Sequence, residues 1–195
     1  KTKRPIYDNF CGSGTTLVEA KIRGIEAYGS DISWLSIMAS NVKTTFVDLN
    51  KVLRLLEKVI EDAKNLSINV VLDDRSSKWF SLKEYTDLSC LKAVLLGSKK
   101  TDEINFLICA YIAIIRRISK AHDGEVRPHV NKNKKQREVF STYEKKVKDM
   151  IKNHNNFQIV TKKDSIANSF FADATKANDL YKHKSPSLII SHPHI

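Results

Sequence analysis

The chain has 195 residues, 42% hydrophobic and 28% charged, with a formal net charge of +11, the composition of a soluble globular protein with one core and an embellishment. Its longest apolar stretch, residues 106–115, is too short to span a bilayer, and the basic amino terminus has no apolar signal core. Cys11, Cys90 and Cys109 are odd in number and lack metal-type spacing, which excludes a disulfide framework and points to a reducing cytoplasm.

In chain order, the run Pro5-Ile6-Tyr7 predicts a first strand, and Leu17-Val18-Glu19-Ala20 opens a helix. Between them lies Asp8-Asn9-Phe10-Cys11-Gly12-Ser13-Gly14-Thr15-Thr16, a loop whose glycines permit a tight turn and close approach of a ligand. The helix N–H groups after such a loop face an anionic group. Gly24 stands where a helix-ending glycine is expected, and residues 25–30 form a second strand that ends in Asp31. An acid there suits a doubly wound α/β fold that grips ribose hydroxyls. No Lys-Ser/Thr pair follows the glycines, so this is no Walker loop, and Leu17 occupies the third-glycine place of a dinucleotide fingerprint.

Helical spacing begins at Val52, Leu55, Leu56 and Val59 and continues, past Trp79 and Phe80, to His122. Trp79 and Phe80 are expected to anchor this segment, with contact to a base or cofactor as the alternative. Residues 116–163 carry fourteen Lys and Arg against five Asp and Glu, the footprint expected of a polyphosphate partner, or else a solvated surface. Residues 124–137 read as a flexible basic loop and residues 139–151 as an amphipathic helix with Lys145, Lys146 and Lys148 on its polar side. Ser169-Phe170-Phe171-Ala172-Asp173-Ala174 predicts a strand ending in an acid, and Ser187-Leu188-Ile189-Ile190 a buried strand running into Ser191-His192-Pro193-His194. The two histidines also admit a metal reading, but no third ligand is near and none is assigned.

The string Asp8 to Ala20, with Gly24 and Tyr28-Gly29-Ser30-Asp31-Ile32, resembles the first two motifs of S-adenosylmethionine-dependent amino-methyltransferases, departing from Asp-Pro-Phe-Cys-Gly-Ser-Gly-Thr only at Asn9. Ser191 and Pro193 match the family's Ser-Pro-Pro-Tyr motif, with His192 for a proline and His194 for the aromatic residue. The resemblance covers about residues 3–48 and 165–195. It implies a Rossmann-like α/β core, its sheet incomplete in this chain, split as residues 1–49 and 157–195 around a mainly helical basic insertion at 50–156.

It also implies S-adenosylmethionine as cofactor, held by Asp8, Phe10, Cys11, Gly12, Ser13, Gly14, Thr15, Thr16, Asp31, Ile32, Asp173 and Ala174. Ser191, His192, Pro193 and His194 then form the catalytic motif, acting on cytosine N4 or adenine N6 of DNA. Side-chain and backbone oxygens there accept the amine protons while an aromatic face stacks on the base. Phosphates are assigned to Arg127, Lys132, Lys134, Lys135 and Arg137. The two histidine replacements imply impaired transfer. An RNA guanine-N2 methyltransferase and a non-catalytic cofactor- or DNA-binding module are the alternatives. The chain does not begin with Met and is expected to be part of a longer protein.

Overall fold

Strands β1 (Ile6–Asp8), β2 (Ala27–Asp31), β3 (Ala167–Phe171) and β4 (Leu188–Ile190) form one parallel sheet in the order β3-β2-β1-β4. The computed structural model describes residues 4–123, 127, 129–135, 137–175 and 185–192. The chain divides into two compact units, Lys1–Phe46 with Asn153–Ile195, and Val47–Lys152. The first holds the sheet, and the architecture is compatible with a Rossmann-like methyltransferase fold.

Helix α1 (Thr15–Ile22) ends as its glycine predicts. Gly24, at φ +65°, donates to the Lys21 carbonyl, and Ile25 N–H reaches back to Ala20 O at 2.9 Å, the paired bonds of a Schellman motif. The chain thereby turns directly into β2. Leu17, Ala20, Ala27, Ile37, Cys11 and Ala167 form the core against the sheet, and burying Leu17 fully contributes roughly 1.5–3 kcal/mol. Helix α2 (Trp34–Thr44) is stitched to β3: Asn41 Oδ1 accepts from Ser169 N–H at 3.1 Å, and Asn41 Nδ2 donates to Ser169 O at 3.2 Å.

Strand β4 departs from the expectation of a buried strand. Leu188 is 51% and Ile189 50% exposed, because among the described residues β4 pairs with β1 alone and stands at the sheet's edge.

The second unit is helical among its described residues. Helix α3 (Leu49–Asn65) buries Val52, Leu56, Val59 and Ala63 on one stripe and packs against α5 (Leu82–Gly97) and α6 (Asp102–Ile118). Asp48 caps α3 by accepting from Asn50 and Lys51 N–H, and Asp73 caps the short α4 (Asp74–Ser77). The apolar run 106–115 is the buried heart of α6, with Phe106, Leu107, Ala110 and Ile114 at most 1% exposed. Trp79 and Phe80 are half-buried inside this unit: the Trp79 carbonyl accepts from Lys120 N–H at 2.7 Å, and Phe80 lies 6.0 Å from Tyr85.

Helix α7 (Val139–Val160) outruns the predicted end at residue 151. Its first turns bury Tyr143, whose hydroxyl donates to Leu107 O at 3.1 Å. Its last turns, in the first unit, set Phe157 6.0 Å from Phe46. That packing outweighs the weak helix propensity of Asn153, Asn155 and Asn156.

Residues 129–131, within the predicted basic loop, pair with residues 120–122 as a short antiparallel stem: His122 N–H donates to His129 O at 3.0 Å and Asn131 N–H to Lys120 O at 2.8 Å. The expected flexible start of that loop, residues 124–126, lies outside the described residues. The rings of His122 and His129 stack with centroids 5.1 Å apart.

Candidate cofactor and base site

All four strands point the same way, so Asp8, Asp31, Phe171 and Ile190 end them at one edge of the sheet. From β1 the strand order runs to β2 and β3 on one side and to β4 on the other. Such a reversal opens a crevice at the carboxyl ends of β1 and β4, where open α/β sheets bind ligands. The predicted cofactor loop leaves β1 there.

The loop is held by bonds that its sequence dictates. Asp8, only 5% exposed, accepts Phe10 N–H at 3.1 Å. Cys11 N–H donates to Ser30 O at 3.0 Å, and Gly14 N–H turns back to Cys11 O at 2.8 Å. Gly12 and Gly14 have φ of +49° and +84°, a region that favours glycine. A Cβ on Gly14 would lie 2.9 Å from the Ser40 Cα, whereas one on Gly12 would meet nothing within 4 Å. Gly14 thus lets α1 close on α2, and Gly12 borders open space. Gly14 caps α1 without a side-chain bond, so the helix's first N–H groups at Thr15 and Thr16 remain available to an anion.

Asp31 is a structural hub as well as a candidate ligand. Its Oδ2 accepts Gly12 N–H at 2.9 Å and its Oδ1 accepts Ser33 N–H at 2.8 Å. Each carboxylate oxygen keeps a second lone pair for a hydroxyl donor. Phe171 is its register partner on β3, on the same face of the sheet. Phe171 is 63% exposed, as are Ile32 at 68% and Trp34 at 64%. Apolar surface therefore flanks the acid, and only Ile32 was marked by the sequence pattern; Phe171 was read as a strand residue, and Trp34 was not singled out.

Asp173 follows β3, and Ala172 N–H donates to Asp31 O at 3.1 Å, which ties the two acidic loops together. Asp173 Oδ1 accepts Thr175 N–H at 2.9 Å and Thr175 Oγ1 at 2.7 Å, so it also shapes its own turn. Ala174 is half-buried beside it. At the other end of the edge, Asn9 N–H approaches Ile190 O at 3.4 Å, and Ser191 and His192 are exposed just beyond. Pro193 and His194 lie outside the described residues. Asn9 Oδ1 is buried without a hydrogen-bond partner among the described residues, and a buried acceptor left so calls for a ligand or ordered water.

Cys11 is buried. Burial first, then the Asp8 and Asp31 carboxylates, push its thiol up to about 12, so it stays protonated and packs behind the loop.

The basic residues separate into two kinds. Arg127, Lys132, Lys135 and Arg137 are exposed. The Lys134 side chain is 8% exposed; its Nζ donates to Ala121 O at 2.8 Å and Arg116 O at 3.4 Å and pairs with Asp123 at 2.9 Å. Lys134 therefore stitches the hairpin stem to the end of α6. Arg137 lies 3.6 Å from the other Asp123 oxygen. Among the described residues no helix is long and apolar enough to cross a membrane, and no three His, Cys, Asp or Glu side chains are grouped to hold a metal ion.

No family model matches the chain. It is similar to the type II methyltransferase M.MvaI of Kocuria varians, at 29% identity over 134 residues, 64% of this chain and 30% of that protein. It is also similar to the type II methyltransferase M.MjaII of Methanocaldococcus jannaschii, at 30% identity over 95 residues, 43% of this chain and 18% of that protein. The chain thus spans less than a third of the length of either relative.

Proposed function

We propose that the chain carries the S-adenosylmethionine site of a methyltransferase acting on an exocyclic amino group of a DNA base, cytosine N4 or adenine N6. The observation that carries this reading is the loop at the sheet's switch point, open over Gly12 and bonded to Asp31. The similarity to two type II methyltransferases supports the reaction class. The donor set fits the cofactor. Asp31 offers acceptors for ribose hydroxyls, Ile32, Trp34 and Phe171 offer apolar cover for adenine, and the uncapped start of α1 suits a carboxylate. Asp8 and Asp31 place negative charge where a sulfonium cation is favoured.

When bound, the cofactor supplies an electrophilic methyl group, so no enzyme nucleophile is required and the protonated Cys11 thiol has no chemical part. In this reading Ser191 and the adjacent backbone carbonyl accept the protons of the target amine. They hold its lone pair in line, the orienting role on which such transfers depend. The target base, inside a duplex, must be swung out to reach that edge. The helical unit, read as an insertion, contributes Arg127, Lys132, Lys135 and Arg137 to backbone phosphates. His192 and His194 weaken the motif's stiffness and stacking face, which favours reduced turnover as the second reading.

Isothermal titration with S-adenosylhomocysteine tests the cofactor assignment directly. Asp31→Ala is expected to lose about 1.5–3 kcal/mol of binding, the cost of charge-assisted hydrogen bonds. Equal affinity in the variant and the parent would remove Asp31 from the ribose role.

A further inference from the structure

We infer that Lys43, near the end of α2, is the positioning residue of the glycine loop. Its Nζ donates to both the carbonyl and the hydroxyl of Ser13, each at 2.8 Å, across thirty residues of sequence. The peptide between Ser13 and Gly14 is thereby held at both ends, since Gly14 N–H bonds Cys11 O at 2.8 Å. That peptide is the one whose rotation glycine leaves free: Gly14, at φ +84°, has no side chain to resist a swing about its own φ. Gly14 is also the N-cap of α1, so the tilt of this peptide sets the angle at which the loop meets the helix's open N–H groups. The rest of the loop has other restraints, Cys11 N–H on Ser30 O and Gly12 N–H on Asp31. Among these loop bonds, the one to the Ser13 carbonyl comes from a long, exposed cation on another element. The neighbouring stays of α2, Asn41 on Ser169 and Thr44 O receiving Lys21 Nζ at 2.6 Å, fix the helix from which Lys43 reaches.

A loop ordered before the ligand arrives binds it with less loss of conformational freedom. The consequence for cofactor affinity rests on the function proposed above, whereas the clamp itself does not. The test uses the full chain labelled with ¹⁵N-glycine, which gives at most six backbone signals, with Lys43→Met and Lys43→Arg. In Lys43→Met the Gly12 and Gly14 amides are expected to shift and broaden while the melting temperature holds, since Lys43 is exposed. S-adenosylhomocysteine affinity is expected to fall about tenfold or more, and Lys43→Arg to restore both readouts. Gly12 and Gly14 signals that coincide with the parent's would overturn the clamp. Broadened signals with unchanged S-adenosylhomocysteine binding would support the clamp and overturn its consequence for cofactor affinity. A parent chain with no affinity for S-adenosylhomocysteine would sink the proposed function and leave the glycine signals alone to decide the clamp.

Discussion

A methyl group on Gly29 would sit 2.7 Å from the Cβ and 2.9 Å from the Sγ of Cys11, and 2.8 Å from Leu17 Cδ1. Both neighbours are buried, so the added methyl must displace packed side chains. Gly29→Ala is therefore expected to destabilise the chain by about 1–3 kcal/mol, read as a lower midpoint in urea. It should also displace the Cys11 end of the cofactor loop. An unchanged midpoint would mean that Cys11 and Leu17 repack at little cost. The glycines of the loop and Asp31 were legible in the sequence because their demands are local: a positive φ, a turn, an acid at a strand's end. Gly29 was legible only as part of a family string, and Lys43 not at all. Their reasons lie in side chains that the fold brings from other elements, and one lysine among many carries no mark of its partner. The double use of Asp31, as loop tie and candidate ligand, was likewise hidden until Gly12 N–H was seen to point at it.

Among the elements, the stem formed by residues 120–122 and 129–131 shows where composition misleads. Lys132, Lys134 and Lys135 are indistinguishable as letters in a basic run, yet Lys134 alone is drawn under the stem onto Ala121 O and Asp123. The pairing holds the Asp123 carboxyl below the usual carboxylate range, with Arg137 and Arg117 adding to the effect. Lys134→Met removes the donor from partly buried acceptors, which costs about 1–3 kcal/mol where an acceptor stays unmet. The expected result is faster amide exchange at His122 and Asn131, whose N–H groups close the stem. The paired change Lys132→Gln with Lys135→Gln should leave that exchange untouched. It should instead weaken duplex DNA retention equally across sequences and lessen its salt dependence. Retention that is indifferent to Lys132 and Lys135 would assign them to the solvated surface. Apolar spacing marked α1, the helical run from Val52 to His122 and the start of α7, but α2 was not predicted, and at the end of α7 Phe157 meeting Phe46 decides against the local Asn-rich signal.

At the scale of the whole molecule, acid should unfold the chain in two separable stages, and the first belongs to the sheet-bearing unit. There Lys21 and His154 are each 6% exposed. Lys21 Nζ donates to Thr44 O at 2.6 Å and lies 5.2 Å from the Phe46 ring. Burial pushes the His154 imidazole below its ordinary value near 6.5, and the Lys21 charge pushes the same way, against a raising contribution from its bond to the Thr45 backbone. Burial lowers Lys21 also. A histidine whose folded pKa is depressed stays neutral in the folded chain while the unfolded chain takes up a proton. Stability is therefore unaffected well above pH 6.5 and falls as pH drops through 6.5 toward the depressed value, by up to about 1.4 kcal/mol per unit. The carboxylates of Glu103 and Glu138 are lowered by their hydrogen bonds to Lys51 and Ser141, which overcome desolvation. Their contribution is complete above about 4.5 and is lost only as pH falls further. Thermal melts at pH 7.5 and 5.5 should thus differ through His154 and not through these acids. His154→Leu keeps an apolar body beside Phe157, 5.6 Å away in the parent, and is expected to shrink that difference while leaving the second stage in place. A pH 5.5 loss of the same size in His154→Leu would place the acid sensitivity on another group.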